Sequence, residues 1–376
     1  MTTADLRPAR IEAFVLDAPI ENPVTNSFRT LTSRTSLFVR VTDEDGAFGW
    51  GEIWCNYPPG AAGHRAELLE RVVAPMIVGR RFAHPREVFA YLETATRVPA
   101  LQSGEPGPFA QVVAGIDIAL WDLAARRAGE PLWRWLGGKP TVRVYASGLG
   151  PDRPERLAEK KLAEGYTAVK VKVGFDTATD ERNLRALRTA MGAGAEIMVD
   201  ANQRWGLEAA IEAARWLDGF GLAWIEEPIP ADETVERWQA LARACGTPLA
   251  AGENLRGYAA LGAAVTSGAL KVIQPDAAKW GGFSGCLDIM GKAREAGVQF
   301  CPHWLGGGVG LAAALHLLAA SGAAGWGEVD ANPNELRTLF LPEGFSVHAG
   351  RVTLSDQPGL GCIPDPSLMA RFRVRR

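Results

Sequence analysis

The chain is 376 residues long, 47% hydrophobic and 22% charged, with a formal net charge of −3. That length exceeds one ordinary compact domain and suits a large barrel with a smaller companion. So small a net charge gives no strong field for nucleic acid or an anionic membrane, and neither is expected as a partner.

The N-terminal stretch "MTTADLRPARIEAFVLDAPI" carries charges at Asp5, Arg7, Arg10 and Glu12 and has no signal-peptide core. No apolar run is expected to span a bilayer. The five cysteines, Cys55, Cys245, Cys286, Cys301 and Cys362, are scattered, odd in number and without a C-x-x-C pair. That usage fits reduced thiols, so a cytoplasmic location is expected. Residues 11–55 read as an antiparallel sheet, because "TSLFVRVTDEDGAFGWGEIW" holds two β-rich runs joined by the turn "DEDG" at Asp43 to Gly46. Polar loops, "ENPVTNSFRT" and "CNYPPGAAGH", flank it. From about residue 64 to 135 the apolar spacing is helical, as in "ALWDLAARRAGEPLWRWLGG".

From about residue 142 short β runs alternate with Ala-rich helical runs, which argues for a parallel sheet with crossover helices. The residues closing the β runs are Gly148, Lys172, Asp200, Glu226, Glu253, Asp276, His303 and Glu328, separated by 24, 28, 26, 27, 23, 27 and 25 residues. Eight strand ends at so even a period indicate a closed barrel rather than an open doubly wound sheet. The segment "VHAGRVTLSDQPGLG" then reads as a short hairpin and an extended tail returning to the N-terminal domain. The expected division is residues 1–130, 131–330 and 331–376.

Barrel active sites lie at the carboxyl ends of the strands, so seven ionisable positions converge on one mouth. Asp200, Glu226 and Glu253 would repel one another in a partly dry site. A divalent cation resolves that repulsion, and an all-oxygen set with room for water and substrate suits Mg²⁺, one per subunit. In "WIEEP" the ligand is expected to be Glu226 and not Glu227, since adjacent strand residues face opposite sides. In "VKVK", Lys170 and Lys172 share one strand face. A neighbouring cation is expected to lower the pKa of Lys172 toward that of a working base, with Lys170 holding a substrate oxygen. Across the barrel, Asp276 would fix the tautomer of His303 and raise its basicity. Glu328 is a candidate acid or hydrogen-bond partner. His316, in "LAAALHLLAA", reads as structural. A carboxylate substrate at the metal would have its α-carbon between two bases, and loss of its α-proton would give an enediolate.

The same residues, in "VKVK", "VDANQ", "WIEEP", "GEN", "PDAAKWGG", "PHW" and "GEVD", resemble the mandelate racemase subgroup of the enolase superfamily over essentially the whole chain. The resemblance implies an α/β fold, a modified (β/α)7β TIM-type barrel with an N-terminal α+β capping domain completed by the C-terminal tail. It implies Mg²⁺-dependent α-proton abstraction from a small carboxylate substrate, and a homo-oligomer is expected. Dehydration of an acid sugar is the leading activity. A racemase, an epimerase or a sugar-acid lactone cycloisomerase would use the same Lys and His–Asp bases. Asn202 and Lys279 fall within the matching motifs as substrate contacts. The capping loops offer Arg29, either for a distal carboxylate or as a solvated surface charge, with Trp54 and Tyr57, and Trp304 either walls the pocket or packs its rim.

Overall fold

Alternation puts Leu37, Val39 and Val41 on one face of a strand, and all three are buried. In the computed structural model, which describes residues 5–25, 30–322 and 324–374, that strand is β2 (Thr30–Asp43). It is the centre of an antiparallel sheet with β1 (Pro8–Thr25) and β3 (Phe48–Ile53), and β2 and β3 form the expected hairpin. Helices α1 (Ala61–Leu68) and α3 (Pro106–Arg127) pack on the sheet, and α2 (Pro85–Ser103) packs on α3. By length and composition α3 could cross a membrane, where the sequence was expected to hold no such run. It is instead a core helix, with 89% of its apolar window buried.

A short α4 (Leu132–Trp135) leads into the second unit. Its strands are β4 (Thr141–Leu149), β5 (Ala168–Lys172), β6 (Glu196–Asp200), β7 (Ile225–Glu226), β8 (Leu249–Ala251), β9 (Val272–Ile273), β10 (Gln299–Phe300) and β11 (Gly327–Asp330). Between them run α5 (Pro154–Ala163), α6 (Thr177–Met191), α7 (Leu207–Leu217), α8 (Val235–Ala244), α9 (Gly257–Thr266), α10 (Gly282–Glu295) and α11 (Gly308–Ala320). The strands are parallel and ordered β10-β9-β8-β7-β6-β5-β4-β11, so the last returns to the first and curls the sheet round. At the seam between β10 and β11, the amide of Trp326 donates to Cys301 Sγ over 3.3 Å. Seven β/α units and a final strand make this the modified barrel.

After it come α12 (Glu335–Thr338), β12 (Arg351–Thr353) and α13 (Pro366–Phe372). β12 pairs antiparallel with β4, and beyond α13 the amide of Val374 donates to Val15 O of β1 over 3.0 Å.

The interior of the ring is layered. Tyr145, Ala168, Met198, Trp224, Ala250, Val272, Cys301 and Trp326, one from each strand or its flank, form a single apolar cluster. Two residues further along each strand stand Ser147, Lys170, Asp200, Glu226, Gly252, Gln274, His303 and Glu328. Because side chains repeat every second residue, this polar layer lies directly on an apolar floor.

Candidate active site

The layer corrects the strand ends read from the sequence. Five of the eight positions stand in it or close a strand as expected, but Gly148, Glu253 and Asp276 do not share its register. Their places belong to Ser147, Gly252 and Gln274, while Glu253 and Asp276 lie past the ends of β8 and β9. Ser147 and Gln274 were missed. Counting in twos from the buried Tyr145 and Val272 would have found them.

Each carboxylate of the candidate metal trio is held by its own lysine. Lys170 Nζ lies 2.5 Å from Glu226 Oε1, Lys172 Nζ 2.5 Å from Asp200 Oδ2, and Lys279 Nζ 2.8 Å from Glu253 Oε2. Glu226 also accepts from Gln274 Nε2 at 2.6 Å and Trp224 Nε1 at 3.2 Å. Lys170 reaches Glu328 Oε1 at 2.8 Å, and Ser147 Oγ donates to the same oxygen at 2.5 Å. His303 Nδ1 pairs with Asp276 Oδ2 at 2.8 Å, which leaves Nε2 facing Glu253 at 3.1 Å and Glu328 at 3.7 Å. Asp276 Oδ1 is held by the amides of Ala278 and Lys279, at 2.9 and 3.1 Å.

This pairing reverses the direction expected for Lys172. Burial opposes both charges and the Lys170 ammonium does depress its neighbour, but Asp200 outweighs them and raises the pKa of Lys172. For Lys170, Glu226 and Glu328 overcome burial and hold its pKa well above the usual lysine range. Burial pushes Glu226 up to about 7, helped by the fields of Asp200, Glu328 and Glu253 and opposed by Lys170. Burial also opposes the imidazolium of His303, yet Glu253 and Glu328 carry its pKa up to about 9.

The expectation for Glu227 is untouched, but its reason needs correction. β7 ends at Glu226, and Glu227 adopts φ 39°, outside the strand conformation. Strand alternation therefore does not apply to it. It is fully buried, and Asn254 Nδ2 donates to both its oxygens at 3.0 and 2.9 Å.

A cavity of about 1110 Å³ opens over the barrel mouth. Lys172, Asn202, Glu253, Lys279 and His303 line it from the barrel, and Trp54 and Tyr57 line it from the segment after β3. Trp304 does not. Its indole donates to Gly307 O at 2.9 Å and its ring lies against Gly306 and Gly310, so it supports the loop beneath. Arg29 lies outside the described residues. Of the other histidines, His316 accepts from the amide of Trp133 in the core, His84 caps α2, and His64 pairs with Glu105.

The donor set suits a hard divalent ion. Six carboxyl groups (Asp200, Glu226, Glu227, Glu253, Asp276 and Glu328) gather with four basic groups, Lys170, Lys172, Lys279 and His303, so oxygen ligands outnumber the cations that hold them. Glu328 Oε2 and Gln274 Oε1 are buried with no hydrogen-bond partner among the described residues. Among the described residues no group of three His, Cys, Asp or Glu side chains is spaced to hold a metal ion as it stands, and each carboxylate of the trio bonds a lysine. The chemistry therefore fits Mg²⁺, with ammonium groups as its competitors for the same oxygens.

Two family models match the chain: the mandelate racemase / muconate lactonizing enzyme N-terminal domain over residues 10–137, and the enolase C-terminal domain-like model over residues 154–368. D-galactarolactone cycloisomerase of Agrobacterium fabrum is 30% identical over 97% of this chain and 98% of its own length. A structure of a mandelate racemase/muconate lactonizing enzyme from Bordetella bronchiseptica is 49% identical, with TM-score 0.92 over 98% of this chain and 99% of that one. A variant of L-talarate/galactarate dehydratase holding Mg and L-glucarate is 29% identical, with TM-score 0.86 over 99% and 92%. With both halves of the chain matched and a layered barrel in the second, the protein is a member of the mandelate racemase / muconate lactonizing enzyme family of the enolase superfamily.

Proposed function

We propose that this protein is a Mg²⁺-dependent lyase that removes the α-proton of an acid sugar and expels a β-hydroxyl. The observation that carries the reading is the meeting of Lys172 and the His303–Asp276 pair in one cavity, with Asp200, Glu226 and Glu253 beside them. Asp200, Glu226 and Glu253 would hold Mg²⁺, which supplies positive charge to the substrate carboxylate when bound. The name of the dehydratase structure, with its Mg and L-glucarate, supports both the ion and the substrate class.

The chain's own groups divide the work. Lys172 takes the α-proton once it has released Asp200. Charge then builds on the substrate carboxylate, where Lys170 can donate a hydrogen bond from its buried position. Hydroxide leaves poorly without a proton, and general acid help is worth roughly 10²–10⁴-fold. His303, oriented by Asp276, supplies that proton. The same two groups permit racemisation, epimerisation or lactone cycloisomerisation, and the cycloisomerase relative keeps that second reading in play.

The test is proton NMR of acid sugars and their lactones in D₂O with Mg²⁺, following α-exchange and ketone formation together. His303→Asn is expected to stop loss of water while Lys172 still exchanges the α-proton. Undiminished dehydration by His303→Asn would remove His303 as the acid. Inversion or lactone conversion without loss of water would place the protein among the isomerases.

A further inference from the structure

At the end of β3 the chain alternates between two bodies. Ile53 and Cys55 belong to the apolar core of the first unit, while Glu52, Trp54 and Asn56 reach the barrel. The barrel segments they meet are the two that carry the His303–Asp276 pair. The amide of Trp54 donates to Ala278 O at 3.4 Å, two residues after Asp276. Asn56 Nδ2 donates to Leu305 O at 2.6 Å, two residues after His303. The two segments are joined to each other, the amide of His303 donating to Pro275 O at 3.2 Å.

The helix that follows each segment is closed by a carboxyl group of the first unit. At the start of α11, Glu52 accepts from the amide of Gly307 through Oε1 at 2.7 Å and from that of Gly310 through Oε2 at 2.8 Å. At the start of α10, Asp117 of α3 accepts from the amide of Ser284 through Oδ2 at 3.0 Å and from its hydroxyl through Oδ1 at 2.5 Å. Both fits leave room for glycine alone. A Cβ on Gly307 would lie 2.6 Å from Glu52 Oε1, and one on Gly282 2.2 Å from Asp117 Oδ2. Glu52 and Asp117 are buried, and neither lines the cavity. The loop after Lys172 is anchored from within the barrel instead, where the amide of Gly174 donates to Asp180 Oδ2 of α6 at 2.7 Å.

We propose that Glu52 and Asp117 are positioning residues for the His303–Asp276 pair, so that the first unit of the chain sets the site's acid while the barrel sets its base, Lys172. Both carboxyl groups hold backbone, and a shift of that backbone carries the imidazole with it. Misplacing a reacting group by about 1 Å can cost roughly 10²-fold. Glu52→Gln turns an N–H toward one of the two amides, donor against donor, and so loosens the first turn of α11. The kinetic test rests on the proposed function; a second measurement does not.

The experiment uses the full chain with Mg²⁺ and an acid sugar that the wild type dehydrates, followed by proton NMR in D₂O. Glu52→Gln is expected to lower kcat for loss of water by roughly tenfold or more, with KM and the α-exchange catalysed by Lys172 each changed by no more than about threefold. Asp117→Asn, whose amide can still donate to Ser284 Oγ, should act in the same direction by about threefold or more. Asp180→Ala removes an anchor of the same kind on the lysine side, and should lower exchange and loss of water together. Equal losses of both processes in Glu52→Gln and Asp117→Asn would make the two acids general supports of the fold and overturn the proposal, as would wild-type rates. Either variant suffices if the other fails to fold. The second measurement is the ring ¹⁵N signals of His303 in Mg²⁺-loaded protein without substrate, assigned with His303→Asn. They should move in Glu52→Gln and Asp117→Asn and stay in place in Asp180→Ala. If the wild type processes no acid sugar, the proposed function fails and these signals decide alone; signals unmoved by both variants overturn the proposal.

Discussion

Glu226 and Glu227 are adjacent, both buried, and chemically identical, yet the structure places them differently. Glu226 ends β7 in the polar layer, two residues above Trp224 of the apolar floor. Glu227 leaves the strand at φ 39°, and Asn254 closes on both its oxygens. Burial, with the field of Glu253, holds the pKa of Glu227 well above the usual carboxylate range. A carboxyl group already bonded through both oxygens to an amide is a poor ligand for a hard cation. Glu226→Gln is therefore expected to abolish calorimetric Mg²⁺ binding, whereas Glu227→Gln should weaken it by no more than roughly 10–100-fold, as loss of an outer partner does. The reverse order would mean that Glu227 is the ligand. The sequence led to Glu226 by strand alternation, but the fate of Glu227 was not legible. A left-handed φ at a glutamate has no local sequence signal, because the surrounding fold imposes it. Lys172 was misjudged for a related reason. Its repulsion by Lys170 is visible in "VKVK", whereas the carboxylate that outweighs it, Asp200, lies on another strand, 28 residues away in sequence.

At the level of elements, the strand and helix periods were readable, and with them the barrel and its site. What they do not encode is how closely two elements approach. Gly49 and Gly51 lie on one face of β3, and a Cβ on Gly51 would overlap Gly115 O of α3 and come within 2.9 Å of the Ala119 amide. These are backbone atoms, so no side chain can move aside. Two strand glycines in "FGWGE" hint at a close approach, but nothing local identifies the partner helix more than 60 residues on. The contact matters to the site, because β3 also carries Glu52 to the start of α11. There Glu52 accepts from the amides of Gly307 and Gly310 at 2.7 and 2.8 Å, a few residues after His303. Gly51→Ala should cost about 1–3 kcal/mol or more, read as a lower urea midpoint at unchanged slope. Gly63→Ala is the control: it lies in α1 with nothing within 4 Å of the added Cβ, and should be neutral or gain up to about 1 kcal/mol. Equal midpoints for the two variants would show that β3 and α3 can part without penalty.

Across the whole molecule, three distant segments meet at His316 of α11. Its Nδ1 accepts from the amide of Trp133 at 2.9 Å, where the chain passes from the first unit to the barrel, and the backbone of Leu360 in the C-terminal segment lies nearby, while Nε2 has no hydrogen-bond partner among the described residues. Burial pushes its pKa down to about 3, which the Leu360 backbone relieves only in part. The unfolded chain binds a proton near pH 6.5 and the folded chain does not until about pH 3. Stability from the neutral imidazole is thus complete above the unfolded value and is lost as pH falls through that window. By linkage the loss at pH 5 is about 2 kcal/mol relative to pH 8. Other groups oppose it. Burial pushes Glu52 and Asp117 up to about 7, so both favour the folded state increasingly as pH falls from 7 toward their unfolded values. The wild-type profile sums these opposite slopes, and only a difference isolates His316. His316→Asn keeps an acceptor for Trp133 and cannot titrate. Measured by urea unfolding, its stability deficit against wild type should shrink by about 2 kcal/mol between pH 8 and pH 5. A constant deficit would mean that the imidazole is protonated in the folded state, and that the three segments are joined there by a charged group instead of a neutral one.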